Sequence, residues 1–252
     1  MADIGDPAAS TAAALLAAWE TGAVEAPVDQ APSLLRTLEL LAPGVSVEQL
    51  AVGDCDASLY RLRRELFGDL VEAVAICAQC GEEVELEVSI SELEQGLTAP
   101  EAPPPALELD GYTISYRLPL NEDLSALAAR GAQDDAAGVA ELIRRCVVSV
   151  RGPDGAAVPP GSLRTDVGGA LADAMAASDP GASVELAVTC PCGHAWVDEL
   201  DIRLILWTDL TDWVGRTLTE VHHLAGSYGW SEAEILTLPA WRRRWYLEAV
   251  GL

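Results

Sequence analysis

Four cysteines are the residues whose type and spacing could do chemistry. Cys77 and Cys80 form one close pair, and Cys190 and Cys192 form another, and each pair is followed at once by glycine, Gly81 and Gly193. Cysteine pairs in a chain that lacks the density of a secreted disulfide scaffold read as metal ligands before they read as disulfides. A glycine after the second cysteine lets the backbone double back while its amides approach the thiolate sulfurs. Two such turns together supply four thiolates, the closed tetrahedral set of a structural zinc site. The spacing differs between the turns. Two residues separate Cys77 from Cys80, but only Pro191 separates Cys190 from Cys192. The shorter bite strains the usual geometry, so His194 is an alternative fourth ligand in place of Cys192. Reduced, metal-free thiols are the bland reading of the same residues.

The flanks of the pairs match each other. With Cys80-Gly81 laid on Cys192-Gly193, Val84 falls on Trp196, Val88 on Leu200 and Ile90 on Ile202. Each unit reads as strand, cysteine turn, strand. In the first, Val84, Leu86, Val88 and Ile90 alternate with Glu83, Glu85, Glu87 and Ser89, the pattern of a strand that is dry on one face and acidic on the other. The two turns lie more than a hundred residues apart, so a shared metal would close a long loop and its binding would count toward folding.

The elements that must position these turns can be read around them. Residues 1–32 read as a mobile or loosely docked arm: a helical stretch from Ser10 to Glu20, then a linker with Gly22, Pro27 and Pro32. Residues 33–70 read as two helices, with Leu34, Leu35 and Leu38 in one and Leu59, Leu62, Leu66 and Leu70 at helical spacing in the other. Thr98 to Pro105 is a Pro-rich linker, and Leu107 to Leu118 a hairpin turning at Asp110-Gly111. Helices are expected from Asn121, from Asp135 to Val148 and from Asp166 to Ala177, which makes residues 120–180 a helical insertion. A C-terminal helical segment, 204–252, follows the second turn. In it, Ser231 to Glu234 is a capping box. The whole is an α+β chain: a split zinc ribbon of two Cys-knuckle β-hairpins with inserted and flanking helices, its domain covering 33–252.

Composition narrows the function. The formal charge is −25, and all 15 basic residues are arginine. Such a surface opposes binding to a phosphate backbone, which needs clustered cations. The runner-up reading, a zinc-ribbon nucleic-acid or regulatory module, suffers from this charge. No run of apolar residues is long enough to span a membrane. The acidic N-terminus does not read as a secretory signal, so a cytoplasmic location is expected. No phosphate loop, nucleophile elbow or zinc-protease helix occurs. Cys55 sits between Asp54 and Asp56, which makes it a poor nucleophile. Cys146 lies on an apolar helix face. His222 and His223 are adjacent on a helix and point about 100° apart. The chain therefore reads as a non-enzyme with no small-molecule substrate. Tyr228, Trp230, Trp241, Arg242, Arg243, Arg244 and Trp245 concentrate aromatic and guanidinium groups near the C-terminus, the residue types favoured at partner interfaces. Their competing role is to plug the domain's own core.

Several segments are familiar in this order. Leu62-Arg-Arg-Glu-Leu-Phe-Gly68 followed by Cys-Ala-Gln-Cys-Gly81 resembles the first half of the baseplate hub assembly chaperone family of T-even-type contractile phage tails. Tyr116-Arg-Leu-Pro119 with Asp123-Leu124 resembles the segment that follows there. Asp179-Pro180 with Cys190-Pro-Cys-Gly-His194, Trp196 and Asp201-Ile202 resembles the second knuckle. Glu220-Val-His222, Leu224-Ala225, Tyr228 to Leu236 and the Arg-rich last helix are similar to the tail of relatives in phage-like contractile injection systems. The resemblance covers about residues 33–252. It implies a protein that helps assemble a baseplate hub and does no chemistry, with baseplate or hub proteins as partners. The last helical pair is then expected to dock on a hub or tape-measure-like protein.

Overall fold

The computed structural model describes residues 11–96, 106–131, 135–159 and 165–251. The long helix α8, Ile202–Tyr228, is its spine. At about 1.5 Å per residue its 27 residues span roughly 40 Å. Ile202, Leu206, Leu210, Val214, Thr217, Val221 and Leu224 are buried along it. They recur every three or four residues, one continuous stripe of a helix with 3.6 residues per turn. Its first half serves the main core and its second half a smaller one. Asp201 caps its start by accepting hydrogen bonds from the amides of Arg203 and Leu204, and Gly229 ends it in the left-handed conformation.

Two helices flank the spine in the main core. Helix α3, Val52–Phe67, buries Cys55, Leu59, Tyr60 and Leu62. Its N-terminus is capped from far along the chain: the Gly53 amide donates to Asp179 Oδ2 at 3.0 Å. Glycine is required there, because a Cβ would sit 1.8 Å from Asp179 Oδ1. Helix α2, Pro27–Thr37, contributes Ala31, Leu34 and Leu35. Preceding it, α1, Ala12–Gly22, buries Leu15, Leu16 and Ala18. Residues 12–32 are therefore docked helices joined by a short turn, where the sequence suggests a loose arm; residues 1–10 lie outside the described residues. The prolines mislead at this point. Pro27 occupies the first turn, where no amide partner is needed. Pro32 removes the helical donor to the Val28 carbonyl, and Arg203 Nη1 donates to that oxygen instead at 3.4 Å.

Two hairpins grow from this core. Strands β1, Leu70–Ile76, and β2, Glu83–Ser89, pair antiparallel from Leu70 opposite Ser89 to Ile76 opposite Glu83. Ile90 is fully buried and opens a short helix, α4, Ile90–Gly96, rather than prolonging the strand. Between the hairpins lies an inserted unit. Strands β3, Ala106–Leu109, and β4, Tyr112–Tyr116, form a hairpin whose turn residues Asp110 and Gly111 both have positive φ. That is the turn whose twist suits paired strands. Helices α5, Asn121–Ala129, and α6, Asp135–Cys146, follow. Strand β5, Val147–Arg151, then joins β4 in a three-stranded sheet, and α7, Thr165–Ser178, closes the unit. The insertion is thus α+β and not purely helical. The helical period expected through Val148 gives way to strand at Val147, because Val150 is needed beside Ile114 in the unit's own core. The second cysteine hairpin comes next: β6, Glu185–Thr189, and β7, Ala195–Glu199, in register from Glu185 opposite Glu199 to Thr189 opposite Ala195. Helices α9, Glu232–Leu236, and α10, Ala240–Ala249, end the chain against the second half of α8. The Pro-rich stretch expected as a linker, residues 98–105, lies outside the described residues.

Candidate metal centre

Both cysteine hairpins are held at their bases by α3 and α8. Val71 and Ile90 beside the first, and Val184, Leu200 and Ile202 beside the second, all belong to the main core. Arg63 on α3 donates through Nη1 to the carbonyl of Gly68, 2.7 Å away, and to that of Leu70 at the start of β1. Tyr60, one turn earlier, donates through its hydroxyl to the Leu200 carbonyl at 3.2 Å, just beyond β7. Asp69 locks the first base further by accepting from the Ser89 hydroxyl and the Ser91 amide. One helix therefore sets the spacing of the two bases, and the tips meet.

At each tip the backbone closes in the same way. The glycine amide donates to the carbonyl of the first cysteine: Gly81 to Cys77 at 2.8 Å and Gly193 to Cys190 at 2.9 Å. The amide of each first cysteine then donates to a carbonyl just before the return strand, Cys77 to Glu82 and Cys190 to His194, each at 2.9 Å. Both glycines have the positive φ this path needs, +77° and +91°. The second turn is one residue tighter. It absorbs the missing residue in its backbone bonds and still points both sulfurs the same way.

The four sulfurs lie within 4.8 Å of one another. Cys77 Sγ is 3.8 Å from Cys192 Sγ, and Cys80 Sγ is 3.6 Å from Cys190 Sγ. A tetrahedron with metal–sulfur arms of about 2.3 Å has edges of about 3.8 Å. A disulfide would need about 2.05 Å, so these are thiols and not bridges. The first cysteine of each turn is buried and the second is exposed. Each buried sulfur faces the exposed sulfur of the other turn, as two similar hairpins related by a local two-fold would place them. His194 is not part of the cluster. Its ring stacks on Trp196, with centroids 5.5 Å apart. The alternative of three cysteines and His194 is thus not the arrangement the fold assembles.

The electrostatics of the cluster suit a cation. At Cys77, burial pushes the thiol up, but the hydrogen bonds from the Cys80 and Gln79 amides outweigh it and bring it to about 7. At Cys190 the Cys192 amide pulls the thiol down, but burial and the neighbouring sulfurs push it up further, to about 12. One negative charge is stabilised and the next is opposed. A cation among the sulfurs would remove that opposition and let all four bind as thiolates. The donors present therefore fit a metal ion: four sulfurs, correctly spaced, with no protein position left over for another ligand.

The other cysteines lie elsewhere. Cys55 is buried, and desolvation pushes it to about 12 despite Arg203 nearby. Burial likewise raises Cys146 to about 11. Neither is an activated nucleophile. Among the C-terminal residues, the structure separates what the sequence groups together. Trp241 and Trp245 are 70% and 59% exposed. Arg243, in contrast, is buried, with Nε on Glu220 at 2.7 Å and Nη1 on the Leu238 carbonyl at 2.8 Å, so it holds α10 to α8 and is not available to a partner. Tyr228 and Trp230 stack on each other at 4.7 Å and both meet Tyr246, so they serve mainly to seat α10. Two polar clusters escape notice in the sequence because their members are far apart. Arg203 joins Asp56 at 2.7 Å and Asn121 at 2.6 Å. Asp123 is fully buried between Arg117 and Arg145. No helix among the described residues is long and apolar enough to cross a membrane.

Fold and site together define an α+β protein in which a long-range pair of cysteine hairpins forms one four-thiol centre. The chain belongs to the family described as T4 bacteriophage base plate protein, whose model matches residues 29–203. The match begins in α2, takes in both cysteine turns and ends at the second residue of α8. No curated protein and no solved structure matches the chain.

Proposed function

We propose that this protein is a non-enzymatic assembly factor or structural component of the baseplate of a contractile, phage tail-like injection system, and that a zinc ion staples its two hairpins into a split zinc ribbon. The observation that carries the reading is the coincidence of two facts. The chain is a member of the baseplate family, and the matched region contains the complete four-sulfur cluster. Zinc is the ion of choice for four thiolates in a tetrahedron, since it has no other geometric preference and no redox chemistry of its own. Four protein donors leave no open position for a substrate, which suits a structural role. Cys77 and Cys192 lie 115 positions apart, so the ion would tie the segments on either side of the inserted unit into one rigid body. Rigidity of that kind is what a part presented to baseplate or hub proteins in the cytoplasm, or carried into the finished particle, requires. The assembly-chaperone role indicated by the order of motifs is the finer form of the same reading.

The test has two arms. Metal analysis of the purified chain should return one zinc per molecule, and none for the C77S/C190S double variant. Deleting the gene in a particle-producing host should stop assembly before sheathed particles form, with rescue by the natural chain and not by the double variant. Normal particles from the deletion strain would reject the baseplate role.

A further inference from the structure

The outer face of α10 sets exposed positive charge beside large exposed apolar side chains. Trp241 and Trp245 are one helical turn apart and share a face. Arg242 and Arg244 flank them on either side, both exposed. Neither has a carboxylate partner. Arg242 reaches only the Tyr246 ring, 5.8 Å from its centroid, and the Tyr246 hydroxyl at 3.4 Å. That contrasts with Arg36, Arg63, Arg64, Arg117, Arg144 and Arg145, each of which is engaged by an acid. In a chain with 40 acids and 15 arginines, both flanks of this apolar strip thus keep a guanidinium without an acid. The face is also rigid. Beneath it, Arg243 is clamped to Glu220, and Tyr246 is wedged among Tyr228, Trp230 and Trp245. The platform is therefore built before a partner arrives, which lowers the entropic cost of docking.

We infer that this face docks an acidic segment of another protein, whose carboxylates pair with Arg242 and Arg244 while its apolar side chains cover Trp241 and Trp245. The occupant follows from charge. Arg242 and Arg244 give a carboxylate-bearing segment cationic partners at this face that the acidic surface elsewhere does not. Trp and Arg at the centre of a contact are also the residues that carry binding energy. A nucleic acid fits less well, because two guanidiniums cannot offset the repulsion of −25 charges. A second copy fits less well for the same reason, and the exposed face of one ten-residue helix falls short of the roughly 800 Å² per partner that stable dimers bury.

The proposal deepens the baseplate reading and rests on it for biological meaning, but its test is independent of particles. The full zinc-loaded chain is titrated against a fluorescein-labelled helical peptide carrying Glu and Leu along one face, and against its twin with Gln for each Glu. The acidic peptide should bind about tenfold tighter than the twin or better, and should weaken as salt rises. The R242E/R244E variant should lose that preference, and W241A/W245A should lose binding to both peptides by about tenfold or more. Unchanged thermal unfolding of both variants shows that the loss is not one of folding. Equal affinity for the two peptides, or variants that bind as the natural chain does, would overturn the proposal. So would a preference for a DNA oligonucleotide or anionic vesicles, or self-association abolished by the same substitutions. A chain that passes this test but is dispensable for particles would refute the baseplate role and leave the docking face standing.

Discussion

At the scale of single residues, the decisive question is which atom completes the four-donor set. The sequence leaves Cys192 and His194 as rivals, because Pro191 alone separates Cys190 from Cys192. The structure favours sulfur: Cys192 Sγ stands 3.8 Å from Cys77 Sγ, while His194 stacks on Trp196. The expected outcome is asymmetric. Replacing Cys192 with Ser should weaken zinc binding by orders of magnitude and lower the unfolding temperature, whereas His194→Ala should retain stoichiometric zinc. Competition titration with a chromophoric chelator reads both directly, and a zinc-free H194A protein would reverse the assignment. The chemistry of the site was legible from residue types alone, since Cys-Gly turns in a reduced chain have few other uses. Its exact donor set was not, because side-chain direction in a turn depends on backbone bonds that only form in three dimensions.

At the scale of elements, the inserted unit hangs on one buried carboxylate. Asp123 opens α5 and reaches back to the Leu120 amide at 3.0 Å. It is held by Arg117, just after β4, at 2.5 Å and by Arg145 of α6 at 2.8 Å. Burial would raise its pKa, but Arg117, the Leu120 amide and Arg145 together hold it at about 2. A depressed carboxylate stabilises the fold only while it is ionised. Its contribution is fully present above the unfolded value of 3.8 and fades as pH falls through about 2. The difference corresponds to about 2–3 kcal/mol. Asp123→Asn should therefore cost about that much at neutral pH and lose its effect near pH 2, as read by urea unfolding across the range. A constant difference at all pH values would show that the charge is not what matters. The elements themselves were mostly readable: the helical periods of α3 and α8 and the alternation of β2 fell where expected. The errors had physical causes. Pro27 and Pro32 suggested a linker, but one sits where no amide is needed and the other has its orphaned carbonyl filled by Arg203. Strand β5 was hidden because Val147 to Val150 continue an apolar helical pattern and only pairing with β4 makes them strand.

At the scale of the molecule, the four sulfurs join segments that the core already brings near each other at their bases. The metal should then matter most at the hairpin tips and less in the inserted unit, which has its own cluster of Ile114, Cys146, Val150, Leu171 and Met175. Local stability differs across a structure in this way, and amide exchange reports it. Chelation should speed exchange throughout β1–β2 and β6–β7 while the β3–β4–β5 sheet stays protected. Uniform loss of protection would mean that the ion holds the entire fold. The division of labour along α8 matters as well. Its first half packs beneath the cysteine hairpins and its second half carries α10, so the proposed docking face and the four-thiol cluster share one continuous helix.

The sequence by itself determined the thiol chemistry, the strand–turn–strand form of both cysteine units and the α+β class, because these depend on residue type and on periods of two and 3.6 that act locally. The tertiary structure alone decided that Cys192 rather than His194 joins the cluster, that Arg243 is internal while Arg242 and Arg244 are exposed without an acid partner, and that Asp179, Arg203 and Asp123 bind distant elements together. Those outcomes rest on contacts between residues far apart in the chain, and no local pattern encodes which buried charge will find which partner.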